Sequence, residues 1–172
     1  MTTHITPGAL KVTITEEMTG MVDAQGTGRD IDTTNYFTVA AATVSRRLVT
    51  ITATEVGLLG FAVDLATAPA ATEALTYVAG HYPKADVRYV RITNKDDTNH
   101  VILVFRSAAK EFAVVLEHGQ TFAFSCFQAT GLAATMDANT TGVTPTLTDL
   151  DDITADAGGA WSCDLEVFVA TV

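Results

Sequence analysis

Apolar and polar residues alternate along most of this 172-residue chain, and this alternation restricts the possible folds more than any other feature. At the start, Leu10, Val12 and Ile14 fall on one face of an extended segment and polar residues fall on the other. Successive side chains of a strand point to opposite faces, so a period of two predicts half-buried β-strands. The 29 Thr and 18 Val favour sheet over helix, because β-branched side chains pack well on a pleated surface.

Similar runs recur at short intervals, separated by segments rich in Gly, Asp, Asn and Thr. Short, regularly spaced strands with few helical signals are typical of two packed sheets. The sequence therefore predicts an all-β fold, an antiparallel β-sandwich with jelly-roll-like topology and about 8 to 10 strands. Besides the first run, the predicted strands include Asn35–Ala42, Arg47–Glu55, Leu58–Leu65, Val87–Thr93, His100–Arg106, Glu111–Leu116, Gln120–Phe127 and Trp161–Val172.

The connections between these runs carry further predictions. The polar segment Asn94–Asn99 predicts a β-hairpin, and the turn Glu117–Gly119 predicts a second hairpin with a positive φ at its glycine. Gly60 lies inside an apolar run and indicates a bulge or a close backbone approach. The segment Thr67–Gly80 fits either a short capped helix or a loop followed by a strand at Leu75–Ala79, and its good sheet formers favour the strand.

The length of the chain is that of one domain with a single core. Residues 1–8 are too polar to pack alone and are assigned to an N-terminal arm, and residues 9–172 are assigned to a single β-sandwich domain. Within that domain, residues 128–160 form a long excursion rich in Ala, Thr, Asp and Gly, and a structureless run of this length is often functional. The aromatic residues expected in the core are Phe105, Phe112, Phe122, Phe124, Phe127 and Trp161.

The charge balance disfavours two classes of partner. Ten Lys and Arg against 20 Asp and Glu give a net charge of −10, which repels nucleic-acid phosphates and anionic membranes. The first residues lack a basic start followed by an apolar block, so no secretory signal is predicted. The longest apolar stretch, Val56–Val63, is far shorter than the roughly 20 residues of a membrane helix. We therefore expect neither a nucleic-acid nor a membrane partner.

No catalytic or cofactor-binding motif is recognisable, so the sequence predicts no enzymatic activity, no cofactor and no metal ion. The histidines lack the spacing of metal ligands and are expected in exposed loops; they are His4, His81, His100 and His118.

Two smaller groups of residues leave alternatives open. Cys126 and Cys163 lie in strand-like sequence and predict two buried thiols, ahead of a bridge between neighbouring strands and of a reactive thiol. The acidic residues near position 150 predict a solvated loop, with weak Ca²⁺ binding as the alternative, because oxygen donors in a flexible loop suit that ion. These residues are Asp149, Asp151, Asp152 and Asp156.

Three segments resemble a pattern found in small structural proteins of tailed-bacteriophage virions. In Tyr89–Phe105, a strand ends in an R-I-x-N turn, and a loop rich in Asp, Thr and Asn leads into a strand of alternating aliphatic residues. In Glu111–Ser125, a turn of leucine, two residues, glycine and glutamine leads into an aromatic strand. The segment Ile153–Val169 is similar to the closing strand of those proteins. The first two matches rest on Arg91, Ile92, Asn94, Asp97, Thr98, Asn99, Leu116, Gly119, Gln120, Phe122 and Phe124.

The resemblance implies a non-enzymatic virion structural protein, in the first place a capsid decoration (cement) protein that self-associates and binds the outer capsid shell. Its partners are then other copies of the chain, in a homotrimer, and the major capsid protein, and its location is the virion, assembled in the host cytoplasm. Partner contacts are expected in the arm and at the start of a strand, at Thr2, Thr3, His4, Ile5, Arg46 and Arg47.

Two other functions stay open. One is a tail, neck or fibre-base component of a phage. The other is a glycan-binding β-sandwich, which calls for Trp or Tyr side chains displayed in loops. The aromatic residues available for that role fall mostly in strand-like runs; they are Trp161, Tyr36, Tyr77, Tyr82 and Tyr89.

Overall fold

A computed structural model of the protein describes residues 8–18, 31–41, 43–62, 77–107, 110–126, 132 and 149–172. These residues form eleven strands, and no helix able to cross a membrane occurs among them. The strands are β1 Gly8–Met18, β2 Ile31–Ala41, β3 Thr43–Ile51, β4 Val56–Ala62, β5 His81–Pro83, β6 Val87–Asn94, β7 Val101–Ser107, β8 Lys110–Leu116, β9 Thr121–Ser125, β10 Asp152–Asp156 and β11 Cys163–Thr171.

Eight of the strands form a jelly roll of two facing sheets. The four-stranded sheet has the order β3-β11-β6-β9. Each of these strands is adjacent in the chain to one strand of the second sheet, and those partners have the matching order β4-β10-β7-β8. Neighbours among these eight strands are all antiparallel. The arrangement is a long four-stranded ribbon folded once over itself, which is jelly-roll topology. The predicted fold class is confirmed.

Three strands extend the jelly roll and bring the number of strands above the 8 to 10 predicted. β5 pairs with β4 in parallel and makes the second sheet five-stranded. β1 and β2 form an antiparallel hairpin that lies on the outer face of the four-stranded sheet. There Ala41 joins Tyr89 and Ala170 in a small second core, against which Leu10 and Val12 pack.

The main core lies between the two sheets, and the alternation of the sequence determines which side chains enter it. In β11, Leu165, Val167 and Val169 point inward and are buried, whereas Asp164 and Glu166 point outward. The same inward rows occur in β6 and β7. Alternation along the sequence thus matches the facing of side chains in these strands.

Both predicted hairpins are wrong, because the two connections cross from one sheet to the other. β6 and β7, on either side of Asn94–Asn99, lie in different sheets, and so do β8 and β9 on either side of Glu117–Gly119. The hairpin in this part of the chain is formed by β7 with β8. A hairpin and a crossing have the same sequence pattern, two alternating runs around a polar connection, so pairing partners alone distinguish them. Gly119 does have the predicted positive φ, of 70°.

The predicted strand at Leu75–Ala79 is wrong in its described part, since Tyr77–Gly80 forms a turn beside β4. Val78 and Ala79 do not form a strand ladder with β4. Their N–H groups instead donate single hydrogen bonds to carbonyl oxygens of that strand. The rest of Thr67–Gly80, and with it the helix alternative, lies outside the described residues.

Gly60 is a point of close approach, one of the two features that its position in an apolar run indicates. A Cβ at Gly60 would lie 2.8 Å from the ring of His81 and 2.9 Å from the ring of Tyr77, so the two rings occupy the space of a side chain. The irregularity in the ladder between β4 and β10 lies at Leu58 instead, since Gly60 pairs with Asp152 and Gly57 with Thr154. The glycine thus lets two side chains of the neighbouring segment pack directly on the sheet.

The excursion 128–160 contains a strand at the centre of a sheet, so a structureless run over its full length is wrong. β10 lies between β4 and β7, and Ile153 and Ala155 point into the main core. Leu132 and Leu150 are also buried there. The remainder of 128–148 lies outside the described residues.

Candidate interaction site

The structure places only Arg46 and Arg47 among the residues predicted to contact a partner. Residues 1–7, and with them Thr2, Thr3, His4 and Ile5, lie outside the described residues. Arg46 and Arg47 lie in the middle of β3, which is an edge strand of the four-stranded sheet. Because side chains alternate along a strand, Arg46 points to the outer face and Arg47 to the inner face.

Arg46 is paired within its own chain. Its Nε donates a 2.9 Å hydrogen bond to Glu166 of β11, and Arg91 of β6 binds the other oxygen of the same carboxylate. The hydrogen bond from Arg46 holds the pKa of Glu166 below its usual value. The guanidinium of Arg91 also lies 5.4 Å from the ring centroid of Phe168. Two guanidinium groups, from the strands on either side of β11, thus share one carboxylate on this outer face.

We call Val44, Arg46, Arg47 and Leu48 the basic edge. The side chain of Arg47 is exposed and makes no ion pair with any residue that the structure describes. Val44 is 52% and Leu48 67% exposed. Within the described residues β3 pairs with β11 alone, so its other side offers backbone groups to a further strand. Exposed edges with apolar side chains are sites of strand addition.

The opposite side of the sandwich is aromatic, and we call Phe112, Phe122 and Phe124 the aromatic edge. Here β8 and β9 are the last strands of their sheets, and the three rings surround the buried ring of Phe105. Phe112 stacks parallel to Phe105 with 4.7 Å between ring centroids, and it is 39% exposed. The prediction of a core position is thus confirmed for Phe105 and wrong for Phe112, because among the described strands none lies beyond β8 to cover it.

A groove of 640 Å³ lies between the hairpin and the four-stranded sheet, beside β9. Residues 12–15 of β1 form one wall, and the other wall includes Arg91, Thr121 and Ala123. Ile14 in the first wall is 51% exposed. The described lining residues carry methyl, hydroxyl and aromatic groups and the guanidinium of Arg91.

A polar network that sequence reasoning missed lies on the outer face of the five-stranded sheet. Arg106 donates a 2.6 Å hydrogen bond to Glu55, and the hydroxyl of Thr154 donates to the same carboxylate. The hydroxyl of Tyr77 donates to Asp152 at 3.2 Å. Burial, together with the charge of Asp152, raises the pKa of Tyr77 to about 12. No local sequence signal marks this network, because its members come from separate segments of the chain.

The contacts of this network are structural. They attach the bend between β3 and β4, where Glu55 lies, to β7 and β10. The second oxygen of Asp152, Oδ1, is buried and has no hydrogen-bond partner within the described residues. Burial raises the pKa of Asp152 above the usual value for a carboxyl group.

Replacing Asp152 with Asn tests the cost of this half-buried carboxylate. A raised pKa means that the folded state favours the protonated acid, so this contribution to stability is fully present below the unfolded-state pKa of about 3.9 and is lost as pH rises through the folded-state pKa. We expect Asp152→Asn to gain stability relative to the parent protein as pH rises from 3 to 8, since the amide oxygen still accepts from Tyr77. Thermal unfolding across this range measures the difference, and exposed Asp97→Asn is the control. A difference that does not change with pH would contradict the prediction.

The acidic residues near position 150 are not a solvated loop. The ammonium group of the buried Lys84 lies 2.7 Å from Asp151 and 3.2 Å from Asp149. Burial alone would lower the pKa of Lys84, but its hydrogen bonds to the two carboxylates raise it above the usual value. Lys84 thus supplies the positive charge that a bound Ca²⁺ would supply. Among the described residues, no group of three or more His, Cys, Asp or Glu is arranged to hold a metal ion.

Cys126 and Cys163 are both buried free thiols, as the favoured interpretation predicted. Burial raises the pKa of Cys126 to about 11, which disfavours the reactive thiolate. His118 is exposed in its turn, as predicted. His81 lies in β5 and not in a loop, and His100 is half-buried against Trp161, with 5.5 Å between ring centroids.

Trp161 was expected in the core but lies in the connection between β10 and β11, where it is 37% exposed. Its indole N–H donates to the carbonyl oxygen of His100 at 3.4 Å. His4 and Phe127 lie outside the described residues.

Comparison of the chain with protein-family models gives no match, and none of the curated proteins matches it. The features of the described structure that bear on function are therefore the basic edge, the aromatic edge and the groove beside β9.

Proposed function

We propose that this chain is a non-enzymatic structural protein of a tailed-phage virion, a capsid decoration protein that self-associates as a homotrimer and binds the outer capsid shell. The observation that carries the proposal is the exposure of large apolar side chains at both open edges, Val44 and Leu48 on one side and Phe112 on the other. Apolar side chains gathered at unpaired strand edges are typical of protein contact surfaces. Aromatic residues and arginine are the side chains most often found at the energetic centre of such contacts.

The resemblance to phage virion proteins supports the virion location. Its first two segments, Tyr89–Phe105 and Glu111–Ser125, form the four consecutive strands β6 to β9. These strands make up half of the eight-stranded jelly roll, including two of the connections that cross between its sheets. The resemblance thus covers four consecutive strands and the turns that connect them.

A decoration role suits weak contacts that are repeated many times. A small domain offers limited area to a shell, so each contact alone is weak. Copies that are joined to one another bind a symmetric shell with the sum of their contacts, because the second contact forms at high effective concentration. Self-association and shell binding then reinforce each other.

The test is co-sedimentation with capsid shells assembled from the major capsid protein of the phage that encodes this chain. We expect the full chain to sediment with the shells and to occupy symmetric positions on their outer face in electron micrographs. A variant that lacks residues 1–8 measures the contribution of the predicted arm. Failure of the full chain to bind these shells contradicts decoration, and antibody labelling at the tail or neck of virions would favour the tail, neck or fibre-base function instead.

One observation favours a glycan-binding function as the second candidate. Trp161 is displayed on a connection between strands, which is where a stacking platform for a sugar ring is expected. A glycan-array screen distinguishes the two functions. A specific hit that Trp161→Ala abolishes would favour glycan binding over a purely structural role.

A further inference from the structure

We propose that copies of this chain join head to tail, with the basic edge of one copy adding to the free side of β9 in the next. The proposal rests on the proposed self-association and specifies its two surfaces and their geometry. The partner at each edge is a second copy of this chain.

Strand direction permits this addition. Neighbours in the four-stranded sheet are antiparallel throughout, so β3 and β9, at its two ends, run in opposite directions. A second copy placed beside the first in the same orientation therefore brings its β3 antiparallel to β9 of the first. Backbone groups on the open sides of the two strands can then form a ladder, and the sheet continues across the contact.

The outer face of the joined sheet covers the most exposed apolar side chains. A continuous sheet keeps its two faces, so the outward residues of β3 lie beside the outward residues of β9. With Arg46 beside Ala123, Val44 and Leu48 lie next to Ser125 and Thr121, along the groove of 640 Å³ between β1 and β9. The exposed Ile14 forms part of the same groove. Two apolar side chains of one copy therefore meet an open groove with methyl groups in its walls.

The inner face supplies a cation for the aromatic edge. Arg47 points inward on β3, and Phe122 and Phe124 point inward on β9, so the guanidinium group lies beside the rings in the joined sheet. A guanidinium group over an aromatic ring is a favourable contact. The guanidinium group of Arg47 can make this contact without breaking an ion pair, because it makes none with the described part of its own chain.

Charge favours this pairing over the pairing of two like edges. The strand Thr43–Ile51 has two Arg and no acidic residue, whereas Thr121–Ser125 has no charged residue. Joining β3 to β3 would bring like charges together, whereas joining β3 to β9 does not. A contact between two different surfaces is heterologous, and it closes into a ring when its rotation allows. A homotrimer is one such ring.

The test uses two variants, each with one edge blocked. Leu48→Lys places a charge on the basic edge, and Ala123→Lys places one in the groove beside Arg46 of the next copy. Both positions are exposed, so the fold has room for the lysine. Val115→Lys is the control, since Val115 is also an exposed apolar residue but lies on β8 of the other sheet. Should either variant fail to fold by circular dichroism, Val44→Lys and Thr121→Lys block the same edges.

Native mass spectrometry at micromolar concentration gives the result. We expect one closed oligomer for the parent protein and for the control, and monomers for each blocked variant, with self-association weakened about a hundredfold or more. An equimolar mixture of the two blocked variants is expected to form a one-to-one dimer and nothing larger, because one intact edge of each kind remains in the mixture.

Three outcomes would overturn the proposal: a monomeric parent protein, a mixture that stays monomeric, or blocked variants that keep the parent mass. The result is independent of shell binding. A ring that forms as expected but does not sediment with capsid shells leaves the head-to-tail contact in place and rejects the decoration function.

Discussion

Replacing Asn94 with Asp is expected to lower the free energy of unfolding by about 3 kcal/mol or more, because buried hydrogen-bond donors are exchanged for a buried charge. Asn94 is fully buried at the end of β6. Its amide nitrogen donates to the carbonyl oxygens of Asn99 at 2.8 Å and Leu116 at 3.1 Å, and its side-chain oxygen accepts from the N–H of Asp96 at 3.0 Å. One side chain thus contacts two connections that cross between the sheets, β6 to β7 and β8 to β9. A carboxylate cannot donate, and its second oxygen would face two carbonyl oxygens.

Urea unfolding of the parent protein and of Asn94→Asp measures this loss. Asp97→Ala is the matched control, because Asp97 is an exposed residue of the same connection, and its replacement is expected to change stability by about 0.5 kcal/mol or less. An Asn94→Asp variant within about 1 kcal/mol of the parent protein would show that the crossings are held by other contacts.

Asn94 illustrates which features of the fold the local sequence predicts and which it does not. The R-I-x-N turn marks Asn94 as part of a recurrent pattern, but only the structure shows that the residue binds the ends of β7 and β8 from β6. The same pattern predicts a hairpin, because local sequence determines strand, turn and facing. Whether the next strand returns to the same sheet depends on β11 and β9, which are distant in the chain.

The candidate site likewise has features that the local sequence predicts and features that depend on distant strands. The two arginines of β3 stand out in a chain poor in cations, so the sequence alone draws attention to this edge. The ion pair of Arg46 with Glu166 joins residues 120 positions apart, and no local pattern predicts it. The exposure of Phe112 is equally non-local, because it follows from β8 being the last strand of its sheet. Alternation predicts which face a residue takes, but strand order decides whether that face is covered.

Replacing Ile153 with Ala is expected to lower the free energy of unfolding by about 3 to 4 kcal/mol, which is typical of removing a large aliphatic side chain from a well-packed core. Ile153 lies on β10, whose neighbours β4 and β7 pair with it on both sides, and it is fully buried. The surrounding strands are held in two ladders and cannot move inward to fill the space, so the cavity persists. The effect is large for a residue from a segment whose composition resembles a loop.

Urea unfolding measures this difference, with Val115→Ala as the control. Val115 loses methyl groups too, but it is exposed on an edge strand, so the change expected there is about 0.5 kcal/mol or less. A loss below about 1 kcal/mol for Ile153→Ala would mean that β10 contributes little to the core. The last part of the excursion would then be a surface segment, as its composition suggests. A loss of the expected size shows that a five-residue strand bounded by Asp152 and Asp156 completes the sheet between β4 and β7, and that low hydrophobicity of a segment does not exclude a central strand within it.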